Sequence, residues 1–413
     1  MISVRNRLPQ LSGNKRLIFL GIAILVAACS PKVRPVVVAH VKPELEKPIV
    51  KVEPSKPAPP RQSTIAMLLP FTLDHLSSGY TDVSLKQANI ALDYYQGFKL
   101  ALDSLTALGY NYKLQVYDTK GLASQAHAFA YNPQVRASDL IVGPIFPDDL
   151  KAFTGVLAGS RKPIVSPLSP AAPATIASQN LITVIPPLEY HAWITAKYIH
   201  TRLNPQKIFI LKSGYSEDND YIVPFKNTMD SLSKGRTTII QTVIVRGKLT
   251  ALVPQLSASS PNIFLISSTN QAFLTVTMHS LDSLTRKYPV ILFGHPSWEK
   301  FSFLHADILQ RLRTHITSTD QIDYKAAATI DFLHSYRKAF HIEPSEYAIK
   351  GFDEGLYFGK LLGANKGEVK NLTDNDFKGL HNNFHFIKKA GVGYINTHVN
   401  MMDYRYYELR KVE

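Results

Sequence analysis

The segment 139–169, DLIVGPIFPDDLKAFTGVLAGSRKPIVSPLS, constrains the fold more than any other. Residues 139–142 read as a short strand that Gly143-Pro144 ends. Pro147, Asp148 and Asp149 then read as a helix start, because proline suits the first turn and acids suit the positive end of the helix dipole. A second strand at 163–165 stops at Ser166-Pro167. Two parallel strands joined by a crossover helix bring the turns 143–146 and 166–169 to one sheet edge. In open α/β sheets that edge is where ligands bind.

The same alternation fills most of the chain. The apolar run IAMLLPF at 65–71 suits a buried parallel strand, and 72–87 reads as a long polar loop after it. Residues 88–108 predict an amphipathic helix, with Ala91, Tyr94, Phe98, Ala101, Leu102 and Leu105 on one face. A strand at 112–117 leads to Asp118, which either faces a cleft or caps the next helix. A helical region at 122–137 is interrupted near Pro133. After a strand at 181–185 and a helix at 189–203, the pattern restarts. Strands at 207–211, 237–245, 262–266 and 290–293 alternate with helices at 222–232, 249–257 and 271–287. Two such blocks predict two doubly wound α/β lobes. Helices at 326–340 and 345–362 follow, then strand-like runs at 384–387, 393–401 and 404–412, the last two read as a hairpin. The expected partition is 64–187 with 320–385 in lobe one, and 206–313 with 390–413 in lobe two.

The N-terminus reads as an export signal. A basic stretch precedes a 12-residue apolar run at 17–28, too short for a bilayer span, which needs about 20 residues. The run ends Leu25-Val26-Ala27-Ala28-Cys29, which resembles a bacterial lipobox, and Cys29 is the chain's only cysteine. Residues 1–28 are therefore read as a signal peptide and Cys29 as an acylated membrane anchor. Ser30 after the cysteine favours the periplasmic face of the outer membrane in a Gram-negative bacterium, by resemblance to lipoprotein sorting. Residues 29–63 carry eight prolines and read as a tether. Its 34 residues after Cys29 reach on the order of 100 Å when extended.

The formal charge of +14 includes four basic residues in the leader and +4 in residues 30–63, which leaves +6 on the folded part. That balance favours an anionic partner such as a membrane surface or wall polymer. A chain with an export signal is not expected to bind nucleic acid. No disulfide and no multi-thiolate zinc site can form in the folded part.

The phrases IAMLLPF, ALDYYQGFKLALDSL, DLIVGPIF, PIVSPLS, KIFILKSGYSED and EYAIKGFDEGLYFGKLL, in this order, resemble type I periplasmic binding proteins of the leucine-binding kind. The nearest look-alikes are Bacteroidota-type lipoproteins. The binding-protein-like domain of penicillin-binding-protein activator lipoproteins is a cousin. The resemblance implies two Rossmann-like lobes, a three-stranded hinge and a ligand in the cleft between lobes. It places the crossings near 186–207, 315–324 and 384–393. In amino-acid-binding members, a serine-rich turn grips the ligand carboxylate. Here the corresponding turn is Pro144-Ile145-Phe146-Pro147, and the next one is Ser166-Pro167-Leu168-Ser169-Pro170. The prolines lack an N–H, so a free amino acid is a poor match. The cleft residues implied on lobe one are Phe71, Ile145, Phe146, Ser166, Leu168 and Ser169. On lobe two they are Ser213, Tyr215, Glu217, Ser268, His295 and Trp298.

No nucleophile elbow, zinc-protease helix or phosphate-binding glycine loop is present, so no enzyme activity, metal or cofactor is expected. His381 and His385 would share a metal only on a helix. The expected function is a solute-binding lipoprotein that captures a small ligand, with an ABC-type permease as a candidate partner. The alternative is a periplasmic scaffold that regulates a cell-wall synthase, motivated by the tether, the basic charge and the proline-filled turns.

Overall fold

The computed structural model describes residues 61–74, 79–169 and 173–412. The leader, Cys29, nearly all of the tether and Pro170 lie outside the described residues. The first block runs β1 (Ser63–Leu69), α1 (Asp82–Ala107), β2 (Tyr112–Asp118), α2 (Ala123–Phe129), α3 (Pro133–Ala137), β3 (Leu140–Val142), α4 (Pro147–Val156), β4 (Ile164–Ser166), α5 (Pro173–Ile176) and β5 (Leu181–Thr183). The second runs α6 (Leu188–Tyr198), β6 (Lys207–Lys212), α7 (Asn219–Ser233), β7 (Thr238–Val243), β8 (Asn262–Leu265), α8 (Gln271–Leu284), β9 (Val290–Phe293), α9 (Ala306–Arg311) and β10 (His315–Ser318). Then come α10 (Ala327–Phe340), α11 (Glu346–Ala364), the short strands β11 (Phe377–Lys378) and β12 (Asn383–Phe384), and β13 (Phe386–Lys389), β14 (Gly393–Asn396), β15 (Asn400–Arg405) and β16 (Glu408–Lys411).

Two seven-stranded sheets result, ordered β13-β14-β5-β4-β3-β1-β2 and β16-β15-β10-β9-β8-β6-β7. All pairs among β1–β5 and among β6–β10 are parallel. Apolar runs such as Ile65–Leu69 are buried on both faces, as parallel strands covered by helices must be. Order reverses between β1 and β3 in one sheet and between β6 and β8 in the other, so each lobe has its own topological switch point. The predicted doubly wound, two-lobed α/β fold is what forms.

The chain crosses between lobes at 184–187, 319–326 and 397–399. The third crossing differs from expectation. β14 pairs with β5 in the first sheet, so 390–396 belongs to lobe one, and the final hairpin is β15–β16. The apolar runs 393–396 and 400–405 look alike in sequence, and only pairing separates them. Two further expectations change. Helix α1 starts at Asp82 rather than Ala88, set by a Thr81–Ser84 capping box that the polar composition of this turn concealed. Residues 249–257 form a turn instead of a helix. Leu249 and Leu252 are buried at a helix-like spacing, but only Val253–Gln255 makes a single 3-10 turn there.

The closest helix contact in lobe one is between α1 and α11. A Cβ at Gly97 would stand 1.8 Å from the carbonyl oxygen of Ala348, and one at Gly351 would stand 2.1 Å from that of Tyr94. Gly355, Gly359 and Gly363 continue at four-residue spacing along α11, so one flat stripe lets the two backbones meet. Beside it, the Tyr94 hydroxyl donates to Glu354 Oε2 at 2.9 Å. Burial pushes the Glu354 carboxyl well up, against the opposing effect of the Tyr94 bond. A carboxyl raised in the folded state stabilises most below its unfolded value near 4.3, and that stability is lost as pH rises toward the folded value. Glu354→Gln keeps an acceptor for Tyr94 and cannot ionise. It is expected to leave the melting temperature unchanged near pH 4 and to raise it at pH 8. A variant that is less stable at both values would show that the carboxylate itself is needed.

Candidate functional site

The turns at the carboxyl ends of the strands decide what the cleft offers. After β3, Gly143 adopts φ 88°, and a Cβ there would meet Leu68 O at 2.2 Å, so only glycine makes this turn. The Gly143–Pro144 bond is cis. Ile145 is buried in the lobe-one core, and Phe146 and Leu168 pack against that core half-buried. Phe71 meets Tyr95 edge to face at 6.1 Å. Ser166 and Ser169 are buried. None of these six implied residues lines the cavity described below. Asp118 does not cap the next helix, whose N-cap is Leu122. Its carboxylate accepts from Thr72 N and Leu73 N at 3.0 and 2.8 Å, and from Lys120 N, pinning the loop after β1.

On lobe two the implied residues separate. Ser213 is engaged locally, donating from N and Oγ to Asp218 Oδ2 at 2.7 and 2.8 Å. Tyr215 and Glu217 are exposed on the turn beyond it. Trp298 does not line the cleft. It is 1% exposed, and its indole N–H donates to Ser268 O at 2.9 Å, so both residues close the lobe core behind the turn. Of the residues implied on this lobe, His295 reaches the cavity.

That cavity, of ≈ 410 Å³, lies where the first two crossings leave lobe two. Its polar lining includes His191, His295, Glu299, Thr317, Ser318 and Asp320, with the Lys300 ammonium beside Asp320. His191 is buried against Thr317, Nδ1 to Oγ1 at 2.9 Å, and burial pushes its imidazole down to about 3. Burial likewise pushes His295 down to about 4. His295 Nδ1 accepts from Ser297 N, so the neutral ring carries its proton on Nε2. Burial raises Glu299, which accepts from Ser318 Oγ at 2.9 Å. Apart from His295, none of these polar residues was legible as a site residue. His191 lies in the first turn of α6, Thr317 and Ser318 at the end of β10 and Asp320 on the crossing after it, positions that carry no motif.

Asp320 anchors a charged cluster beside the cavity. Its carboxylate lies 3.2 Å from Lys350 Nζ and 3.0 Å from His381 Nε2. Burial pushes Asp320 up, but His381 and Lys350 outweigh it and hold the group well below the usual carboxylate range. Lys350 also reaches Glu346 at 3.3 Å, and Lys300 of lobe two reaches Glu346 at 3.4 Å. Ligand atoms of Asp320, Glu346 and His381 lie within 4.8 Å of one another, a spacing compatible with a metal. The Lys350 and Lys300 ammonium groups already answer both carboxylates, so this donor set does not need a metal ion. The His381–His385 pair is not on a helix, and His385 instead contacts Asp376 at 2.7 Å.

No known family's sequence profile matches this chain, and no curated protein matches it. Solved structures match its fold. A putative branched-chain amino acid ABC transporter protein from Rhodospirillum rubrum superposes with a TM-score of 0.61 at 13% identity, over 85% of this chain and 100% of that one. An ABC transporter substrate-binding protein from Desulfitobacterium hafniense, in complex with Leu, gives 0.55 at 16% identity, over 85% and 100%. One from Sphaerobacter thermophilus gives 0.53 at 15%, over 85% and 96%. The fold is that of the type I periplasmic binding proteins.

Proposed function

We propose that this chain is a lipid-anchored solute-binding protein, held at the periplasmic face of the outer membrane by acylated Cys29, that captures a small polar solute between its lobes for an ABC-type permease. The observation that carries this reading is the cavity at the crossings, lined by two neutral imidazoles and by hydroxyls. Substrate-binding neighbours of the same fold support it. The residues also narrow the solute. Neutral imidazoles and hydroxyls hydrogen-bond uncharged groups, and the Asp320 charge is already answered by Lys350 and Lys300. The lobe-one turns offer a carboxylate few donors, since Pro144, Pro147 and Pro167 have no N–H. A neutral polar solute fits better than a free amino acid.

The test is mass spectrometry of small molecules extracted from the full chain purified in mild detergent, with thermal shift across neutral, cationic and carboxylate solutes. A stoichiometric neutral solute that raises the melting temperature is expected. His295→Asn keeps an oxygen that can cap Ser297 N and removes the outward N–H. It should leave the apo melting temperature unchanged and weaken that solute about tenfold. An empty chain that no solute stabilises would sink the reading and favour the alternative, the cell-wall scaffold.

A further inference from the structure

A second pocket lies at the opposite edge of the first sheet, away from the cleft. Segments that lead into β1, β3, β4 and β5, together with the loop after α11 and the β13–β14 hairpin, enclose ≈ 670 Å³. Its charged lining is Arg61, Arg161, Lys162, Lys370 and Lys388 against Asp139 and Glu368. Both acids are already paired. Arg61 Nη2 holds Asp139 at 2.8 Å, and Lys370 holds Glu368. Arg161, Lys162 and Lys388 have no carboxylate partner among the described residues. Lys162 Nζ donates only to the backbone carbonyl of Ser138 at 2.9 Å, and Lys388 lies 5.2 Å above the Tyr394 ring. Three uncompensated cations therefore converge on one concave site.

We propose that this pocket binds a phosphate-bearing anion. Three unmatched positive charges suit a group that carries about two negative charges, whereas a monocarboxylate would leave most of the charge unanswered. Guanidinium and ammonium groups together are a common phosphate-binding set. The pocket is larger than inorganic phosphate alone needs, and Val369, Leu372 and Tyr394 line it beside the charges, so an organic portion fits. The pocket and the cleft lie at opposite ends of the strands, so each can be filled without the other.

A soluble ester and a lipid headgroup can both present such a phosphate, and the experiment separates the two. The full chain in neutral detergent is titrated with glycerol 3-phosphate by calorimetry and thermal shift at low and high salt. The same protein is sedimented with vesicles of phosphatidylcholine alone and with added phosphatidic acid, whose phosphomonoester carries about two negative charges. Arg161→Gln/Lys388→Gln removes two exposed charges and should melt like the parent. Salt-sensitive binding of glycerol 3-phosphate that weakens about tenfold or more in the double variant identifies a soluble ester site. If only the added binding to phosphatidic acid falls in the variant, the occupant is a headgroup. The same behaviour of parent and variant with both probes overturns the proposal.

Discussion

Gly97→Ala is expected to destabilise the protein by about 3 kcal/mol or more, at the upper end of what added methyl groups do to packed cores. The new Cβ would stand 1.8 Å from the Ala348 carbonyl oxygen and 2.7 Å from its carbon. The obstacle is backbone, which has no rotamer to change. Relief requires α1 and α11 to separate, and that would break the Tyr94–Glu354 hydrogen bond and loosen the core around Phe98 and Phe358. A control lies in the same lobe. Gly155 is helical, and a Cβ there would meet nothing within 4 Å. Gly155→Ala should therefore be neutral or stabilising by up to about 1 kcal/mol, from helix propensity alone. Urea melts followed by far-UV circular dichroism measure both. Equal stability of Gly97→Ala and the parent would mean that the helices can part at little cost.

Asp320→Asn has the second-largest expected effect, a loss of about 3 kcal/mol at neutral pH. The substitution keeps the shape of the side chain and removes the charge that Lys350 and His381 face. Lys350 is 9% exposed in its side chain and would keep only Glu346 as a close counter-charge. The pH dependence carries the sign. Asp320 is held below its ordinary value in the folded state, so its contribution is present above the unfolded value near 3.9 and is lost as pH falls toward the folded one. Melts of parent and variant should differ most near pH 7 and converge in acid. A gap that persists unchanged at low pH would assign the loss to packing. The cluster joins Lys300 of lobe two to α11 of lobe one, so the variant should also alter solute affinity in the cleft.

How much was legible follows from what each element depends on. Ile65–Leu69, Ile208–Leu211 and the strands flanking Gly143 were readable because burial on both faces leaves a continuous apolar run. Helix α11 was readable as a helix, but its glycine stripe was passed over as composition, although Gly351, Gly355, Gly359 and Gly363 fall on one face. The start of α1 was hidden because its first turns are polar and exposed, and only the Thr81 cap marks it. The cleft was legible as a place and less so as a residue set. Trp298 reads as a cleft residue because it follows a strand end. Its position behind Gly294, where a Cβ would lie 2.2 Å from the indole, is a tertiary fact. His191, Thr317 and Asp320 come together only because the start of α6 packs beside the end of β10 and the crossing that follows it.

The late hairpins have a consequence for how the protein comes to be made. β13–β14 completes one sheet and β15–β16 the other, and both follow everything else in the chain. During synthesis the nascent lobes carry β5 and β10 as bare edges, each a template for pairing with another chain. Neither lobe finishes before its neighbour's last strands are also close to emerging. A short delay before these hairpins emerge would leave both halves open at once. Any factor that holds such a chain would meet two unfinished sheets rather than one finished lobe and one unfolded tail.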